Sequence, residues 1–395
     1  MTLSRRDFLR ISKDYGLKTA AFAAVTGTTS GVVLSNFAAK EAHAAKKAKY
    51  KLRWGATVVN PKNENFLQTQ IYDIAKWIEE DSDGEVAIQM IDKGQACAEN
   101  QCVERVGAGV LDIGGSSAQN AAAIIYYAQA LDWPFLWRDR TSLVNLLHDP
   151  SMNKVYRDVW IREYGVEFLY CTSDPRDIFM GLKYSDLPEV RHPDDLKGRK
   201  LRITNSEMIK NFAASLGMSP VPLAWTETLE GMKSGVVDGM ETWAGAAAGF
   251  GMTAVTAQAV SLDFCPGMGS TFINSRSMER MPARLQDVVR EAMRKGSAQS
   301  SEKLGVAMNE VTGDGPNPTE TSDYVKRKDT MRHIVLSDAE METFREKGAV
   351  EQNAEIYSDI RKKLDKIAGL DVFGAVAEYE KTVRGKPLNP QAWWG

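Results

Sequence analysis

A pattern that occurs twice, 126 residues apart, constrains this chain more than any other feature. Val103, Val106, Gly109, Val110, Leu111 and Asp112 have the same spacing as Leu229, Met232, Gly235, Val236, Val237 and Asp238. Each copy reads as an amphipathic helix that stops at a glycine and runs into a short buried strand with an aspartate in it. Two distant copies predict two similar α/β lobes, because a solenoid would need several closely spaced ones. The 395 residues suffice for two cores, and 43% hydrophobic with 26% charged residues is an ordinary globular balance.

The second copy lies within Asp195–Met252, where strand, helix, Pro-bounded segment, helix and short strand follow one another. Leu201 and Ile203 alternate with Arg202, as a strand requires. Asn205 or Ser206 caps the next helix, whose stripe is Met208, Ile209, Phe212, Ala213 and Leu216, and Gly217 ends it. Pro220 and Pro222 bar a helix, and Thr226 is placed to cap the one that follows. Arg202, Trp225 and Thr242–Trp243 therefore fall at the ends of successive α/β elements, where open sheets bind ligands.

The fragments D-L-K-G-R-K-L-R (195–202), L-G-M-S-P-V-P-L-A-W-T-E (216–227) and S-G-V-V-D-G-M-E (234–241), in that order, resemble the substrate-binding subunits of TRAP transporters, the DctP-type family. The likeness runs from about Lys51 to about Arg384. It implies an α/β, two-lobed periplasmic-binding-protein clamshell, type II-like, with hinge strands and a long lobe-spanning helix. The expected division is a leader over 1–44, lobe I over 45–173 plus about 268–310, lobe II over 174–267 plus about 311–385, and a tail over 386–395. The implied function is extracytoplasmic capture of a small organic anion, a carboxylate or sulfonate, in the interlobe cleft. Delivery would be to a sodium-coupled permease with small and large membrane components. No cofactor is expected.

The resemblance also assigns residues. Arg202 falls on the family's most characteristic arginine, which grips the ligand carboxylate, and Arg176 falls where a ligand-contacting arginine is common. A guanidinium's planar two-donor fork matches an acid group. Trp225 stands where an aromatic often lies against the ligand. Thr242 and Trp243 replace the family's usual Asn and Pro, which leaves its dicarboxylate or sugar-acid specificity open. A Trp beside Glu241 resembles the branch that binds 2-oxo acids through a metal, so Glu241 is a candidate metal ligand for that alternative. Ser117, in a Gly114–Ala118 run that reads as a helix N-terminus suited to an anion, and Asn60, in the polar loop Val59–Asn63, complete the expected ligand-binding set.

The first residues read as an export signal. Ser4–Arg10 is an S-R-R-x-F-L-R twin-arginine run, Ala20–Ala39 is mildly apolar, and Ala42-His43-Ala44 is an A-x-A cleavage site. Removing residues 1–44 leaves 43 basic and 49 acidic residues, a net charge of −6, which argues against nucleic-acid binding. The expected location is periplasmic. Of four cysteines, Cys97 and Cys102 form a local disulfide if 96–100 is a loop, and Cys171 with Cys265 would brace the interlobe crossings; buried free thiols are the alternative for both pairs.

Val166–Tyr170 is expected to make the first crossing between lobes and Ser261–Cys265 the return, before a helix over 282–311. Helices over 337–348 and 352–368 are expected to close on the second lobe, and Trp393 and Trp394 to cover an apolar patch. The best enzyme alternative is a Ser hydrolase at Ser116 in G-x-S-x-A, which needs a base from His148, His192 or His333. A structural or sensory module is the third class.

Overall fold

The computed structural model describes residues 48–56 and 70–395, so the expected leader and Asn60 lie outside the described residues. Ten strands form one sheet: β1 (Tyr50–Gly55), β2 (Val86–Ile91), β3 (Ile113–Ser117), β4 (Val166–Gly181), β5 (Lys200–Ile203), β6 (Ser219–Pro222), β7 (Gly239–Trp243), β8 (Thr256–Ser261), β9 (Pro266–Asn274) and β10 (Arg332–Val335). Their order is β2-β1-β3-β9-β4-β7-β5-β6, with β8 on β4 and β10 on β8. Each half has a parallel core, β2-β1-β3 in one and β6-β5-β7 in the other, joined by the antiparallel strands β9 and β4.

β4 is the element common to both halves. Its 16 residues are all buried. Val166 to Pro175 pair with β9, and from Arg176 onward the partner is β7, with β8 on the other edge from Ile178. At the change of partner Pro175 stands opposite Pro266. Neither residue has an N–H, so the ladder is interrupted where the strand passes from one half to the other. The first crossing therefore falls at Pro175–Arg176 of one continuous strand, later than the expected Val166–Tyr170, which pairs with β9, and the return follows β8 through 262–265.

The repeated pattern has a repeated structure. Asp112 precedes β3 and Asp238 precedes β7. The Asp112 carboxylate accepts from Arg53 N at 2.9 Å, and its own N–H donates to Arg53 O at 3.1 Å. The Asp238 carboxylate accepts from Lys200 N at 2.9 Å, and its N–H donates to Lys200 O at 2.7 Å. The aspartate thus clips the start of each strand to its parallel neighbour. Gly109 and Gly235 take φ of +74° and +75°, a left-handed conformation that ends each helix at little steric cost.

The helix Ala283–Ala307 lies along β4 and the helix Gln70–Asp81. Ser297 Oγ accepts from Cys171 N at 3.1 Å and Ser300 Oγ donates to Thr172 Oγ1 at 2.9 Å. A π turn, Met308–Thr312, ends the helix against Ala244–Gly249 in the other half, so the element spans both. The α-helix therefore ends at Ala307, four residues before the expected end at 311.

The C-terminal helices depart from expectation. Asp338–Gly348 does pack on the second half, with Phe344 in the cluster of Ile178, Leu201 and Phe212. Ser358–Ala368 instead puts Ile360 and Leu364 among Trp133, Leu143 and Tyr156 of the first half. A further helix, Val372–Val383, joins it there through Phe373, whose ring is 5.0 Å from that of Trp133. The apolar stripe continues from Leu364 into Val372 and Val376, and both helices bury it in the core of the first half. Trp393 is buried in the cluster of Trp54, Ile71 and Leu285, with the Arg157 guanidinium 3.9 Å from its ring, so the tail does cover an apolar surface.

Cys97 and Cys102 are bonded across a short turn. Cys171 and Cys265 are not; both are buried free thiols, and burial pushes the Cys171 thiol up to about 12. Gly114–Ser117 belong to strand β3, and the run does open a helix, capped by Ser117, but that helix has only four residues, Ala118–Ala121. Gly115 lies against β9 closely enough that a β-carbon would sit 2.2 Å from Ser270 O. Gly115→Ala is therefore expected to lower stability by about 2–3 kcal/mol in a denaturant titration, because the clashing atom is backbone.

Candidate functional site

Strand pleating sorts the expected residues. Arg176 stands opposite Trp243, Asp177 opposite Thr242, and Ile178 opposite Glu241. Arg202 is the parallel partner of Met240. Arg176, Glu241 and Trp243 therefore share one face of the sheet, and Arg202 and Thr242 the other. All five are buried, on three neighbouring strands in the order β4-β7-β5.

Arg176 and Glu241 form an ion pair in which both side chains are buried. The other Glu241 oxygen accepts from Thr204 N at 3.3 Å. The Arg176 guanidinium also lies 6.0 Å from the centre of the Phe264 ring. Nearby, Asp132 accepts from Gln119 and from the Cys265 thiol. Burial pushes the Asp132 carboxyl up to about 6, and Arg176 pulls against that rise.

Arg202 is different. Its side chain is 2% exposed, yet it has no ion-pair partner among the described residues. It donates through Nε to Leu223 O at 3.0 Å and through Nη1 to Glu241 O at 3.5 Å. The guanidinium sits 5.5 Å from the centre of the Trp225 ring. Burial, and then Arg176, lower its pKa to about 10, with Glu99 acting in the opposite sense, so it remains a cation at neutral pH. Trp225 is the first residue of the helix Trp225–Ser234, and its ring meets Phe250 edge-on at 5.5 Å. Thr226 does not cap that helix: Ala224 holds the cap position and Glu227 accepts from its N–H.

The Trp243 indole is packed over Gly267 of β9, where a β-carbon would fall 2.2 Å from Nε1. Only glycine allows that approach. Across the site, Ser117 N donates to Glu99 Oε1 at 3.0 Å, and Glu99 is the residue whose charge acts on Arg202. The Ser117 hydroxyl itself accepts from Asn120 N and Nδ2, capping a short helix. A seam beside the site is polar: Gln129 Oε1 accepts from Met208 N at 3.0 Å and Tyr126 Oη donates to Glu207 at 2.7 Å.

The structure thus brings Arg176, Arg202, Trp225, Thr242, Trp243 and Glu241 together, with Ser117 adjoining through Glu99. Glu241 as a metal ligand does not fit: its carboxylate is held by a guanidinium and a backbone N–H. The Ser116 hydroxyl is buried and donates to Ser117 O at 3.0 Å. The three histidines lie elsewhere: His148 against Val144 O and Trp393, His192 at a turn, and His333 on Asp314 and Ser261. Ser261 and Asp314 meet the same His333 nitrogen, Nε2, so this trio does not form a relay through the ring. Glu99, Asp132 and Phe264 were not singled out from the sequence. Asp132, a lone acid in the apolar run L-D-W-P-F, is the one whose surroundings gave a signal.

The sequence matches the family described as bacterial extracellular solute-binding protein, family 7, over residues 56–359. A solute-binding protein of Chromohalobacter salexigens is 23% identical over 167 residues, 42% of this chain and 48% of that protein. The chain spans about half the length of the first curated relatives it matches. A TRAP periplasmic solute-binding protein of Desulfovibrio salexigens with bound orotic acid superposes with a TM-score of 0.70 at 17% identity, covering 85% of this chain and 99% of that one. One from Ralstonia eutropha with bound (S)-2-acetolactate gives 0.67 at 18% identity, covering 84% and 99%. At these identities the likeness shows the two-lobed fold.

Proposed function

We propose that this chain, which belongs to the bacterial extracellular solute-binding proteins of family 7, captures a small organic acid between its lobes and hands it to a membrane permease. The observation that carries this reading is Arg202, a buried guanidinium with two carbonyl partners, an aromatic ring and no carboxylate. A buried cation left uncompensated is costly, and an arriving acid group relieves that cost. Arg176 is already matched by Glu241. The site therefore has one positive charge to offer, which fits a ligand with a single carboxylate or sulfonate. Trp225, beside the Arg202 guanidinium, supplies surface for the ligand's apolar part, and Thr242, on the Arg202 face, supplies a hydroxyl.

The lobes pivot where β4 changes partner at Pro175, with the long helix and the 262–265 return as the other connections. Lobe I is taken as 45–173 with about 268–310 and with the helices over 358–383; lobe II is 174–267 with about 311–348. The twin-arginine leader is the proposed export route. No helix among the described residues is long and apolar enough to cross a membrane. The proposed partners are the small and large membrane components of a TRAP permease.

A thermal-shift screen of residues 45–395 against monocarboxylates, 2-oxo acids, sulfonates and dicarboxylates tests the reading. An anion at about 100 times its dissociation constant should add about 2.7 kcal/mol of stability. Monoanions should outrank dianions of similar size. If ligand-free protein shifts with none of these anions, the chain is a structural or sensory module instead.

A further inference from the structure

The three connections between the lobes converge on one group of carboxylates, Asp174 and Asp177 on the first and Asp314 on the third, with backbone N–H groups supplied by the return. The first connection, β4, carries Asp174 and Asp177, which are 2% and 1% exposed. The return carries Leu262 and Asp263, whose N–H groups donate to Asp177 Oδ1 at 2.8 and 2.9 Å. Asp263 is itself solvent-exposed and holds φ of +41°, an unfavourable value that this pair of hydrogen bonds maintains. The third connection, after the long helix, carries Asp314, which accepts from Ser261 Oγ at 2.7 Å and faces His333 Nε2 at 2.9 Å.

Two carboxylate oxygens in this group are buried without a hydrogen-bond partner: Asp177 Oδ2 and Asp174 Oδ1, the latter residue's other oxygen accepting from Gly245 N at 2.8 Å. The Tyr324 hydroxyl, on the segment packed beside His333, is likewise without a partner. The cations that face the group are few. Arg140 acts on Asp174 from the helix Arg140–Leu147, with its Nη1 against Met308 Sδ, and His333 comes from β10. Asp323 adds a further negative charge beside Tyr324. Arg176 lies between the two β4 aspartates in sequence but is paired with Glu241.

We propose that the interlobe hinge is a proton-responsive latch, in which Asp174 and Asp177, grouped with Asp314 of the third connection, hold the connections together while they keep their protons and loosen them when the protons are lost. An unpartnered buried oxygen is tolerable on a carboxylic acid and unfavourable on a carboxylate. Burial pushes the Asp174 carboxyl up to about 8, against Arg140 and the Gly245 N–H; burial and then Asp314 hold Asp177 well above the ordinary range, against the N–H groups of Asp263 and Leu262. An aspartate that keeps its proton in the fold where the unfolded chain has lost it favours the fold at low pH. For Asp174 that window runs from the ordinary aspartate value to about 8, so the hinge weakens as pH rises through it.

The test uses ligand-free protein and needs no ligand identity. Thermal midpoints at pH 6 and pH 8 should differ by about 3 °C or more, the higher at pH 6. Amides of 174–177 and 261–265 should exchange several-fold faster at pH 8, after correction for intrinsic rates, while those of Ser358–Ala368 do not. Asp177→Asn imitates the protonated acid with its acceptor oxygen intact, and should remove most of both differences; Asp174→Asn serves if that variant does not fold. His333→Gln should leave them in place. An equal pH response in the asparagine variants, or its loss in His333→Gln alone, overturns the proposal.

Discussion

Replacing Arg202 by leucine is expected to abolish anion binding and, at the same time, to make the ligand-free protein more stable. Truncating one partner of a buried charge-assisted pair removes about 2–5 kcal/mol of binding. At 1.4 kcal/mol for each factor of ten, affinity falls about 30-fold to several thousand-fold. The opposite sign in stability follows from the same geometry. The guanidinium is buried on two carbonyls and an indole face, with no carboxylate in contact and only the charge of Glu99 acting against its desolvation. An apolar side chain of similar length removes that penalty and keeps the Trp225 contact, for a gain of about 1–3 kcal/mol. Calorimetric titration with any anion that stabilises the native protein, paired with thermal unfolding without it, reads both effects. Loss of stability along with binding would make Arg202 a structural residue and would remove the main support for the proposed function.

Glu241→Gln should behave in the reverse manner. It leaves Arg176 buried and unmatched, and breaking one side of such a pair typically costs about 3–5 kcal/mol. The site would then hold two uncompensated guanidinium groups. Dicarboxylates or sulfate should restore part of the lost stability in the variant while doing little for the native protein, so the ranking of monoanions over dianions inverts. A thermal-shift comparison of one monocarboxylate and one dicarboxylate on both proteins measures this. An unchanged ranking would mean that Glu241 does not set the charge of the site.

The fold was legible in the sequence wherever local chemistry and long-range packing agreed. The copies ending at Asp112 and Asp238 were visible as spacing, and they make the same pair of hydrogen bonds to a parallel neighbour. Ser206 and Gly217 marked the ends of one helix as they should. The failures share a cause. The stripe Ile360, Leu364, Val372 and Val376 shows that these segments are helical, but an amphipathic face carries no label for the half it covers. The Gly114–Ser117 run has the letters of a helix mouth and does open a four-residue helix, but the antiparallel pairing with β9, contributed from more than 150 residues away, makes the run itself a strand. Within the site, the arginines were found by motif. Their difference, one matched and one not, depends on Glu241 being on the face of Arg176, which follows from register with β4 and is not contained in any one segment.

The burial of Trp393 has a consequence for the timing of synthesis. Its indole completes the core around β1, which lies more than 300 residues earlier, and donates to Glu167 while Asn153 Nδ2 donates to its carbonyl. The first lobe cannot close its core until Trp393 has left the ribosome. The second lobe, built largely from a continuous stretch, is free to form earlier. Newly made chains therefore pass through a stage with one finished lobe and one that still exposes Trp54, Ile71 and Leu285 to chaperones and proteases. Loss of the Trp393 side chain, as in Trp393→Ala, would extend that stage, and reduced yield would appear before any change in the ligand site.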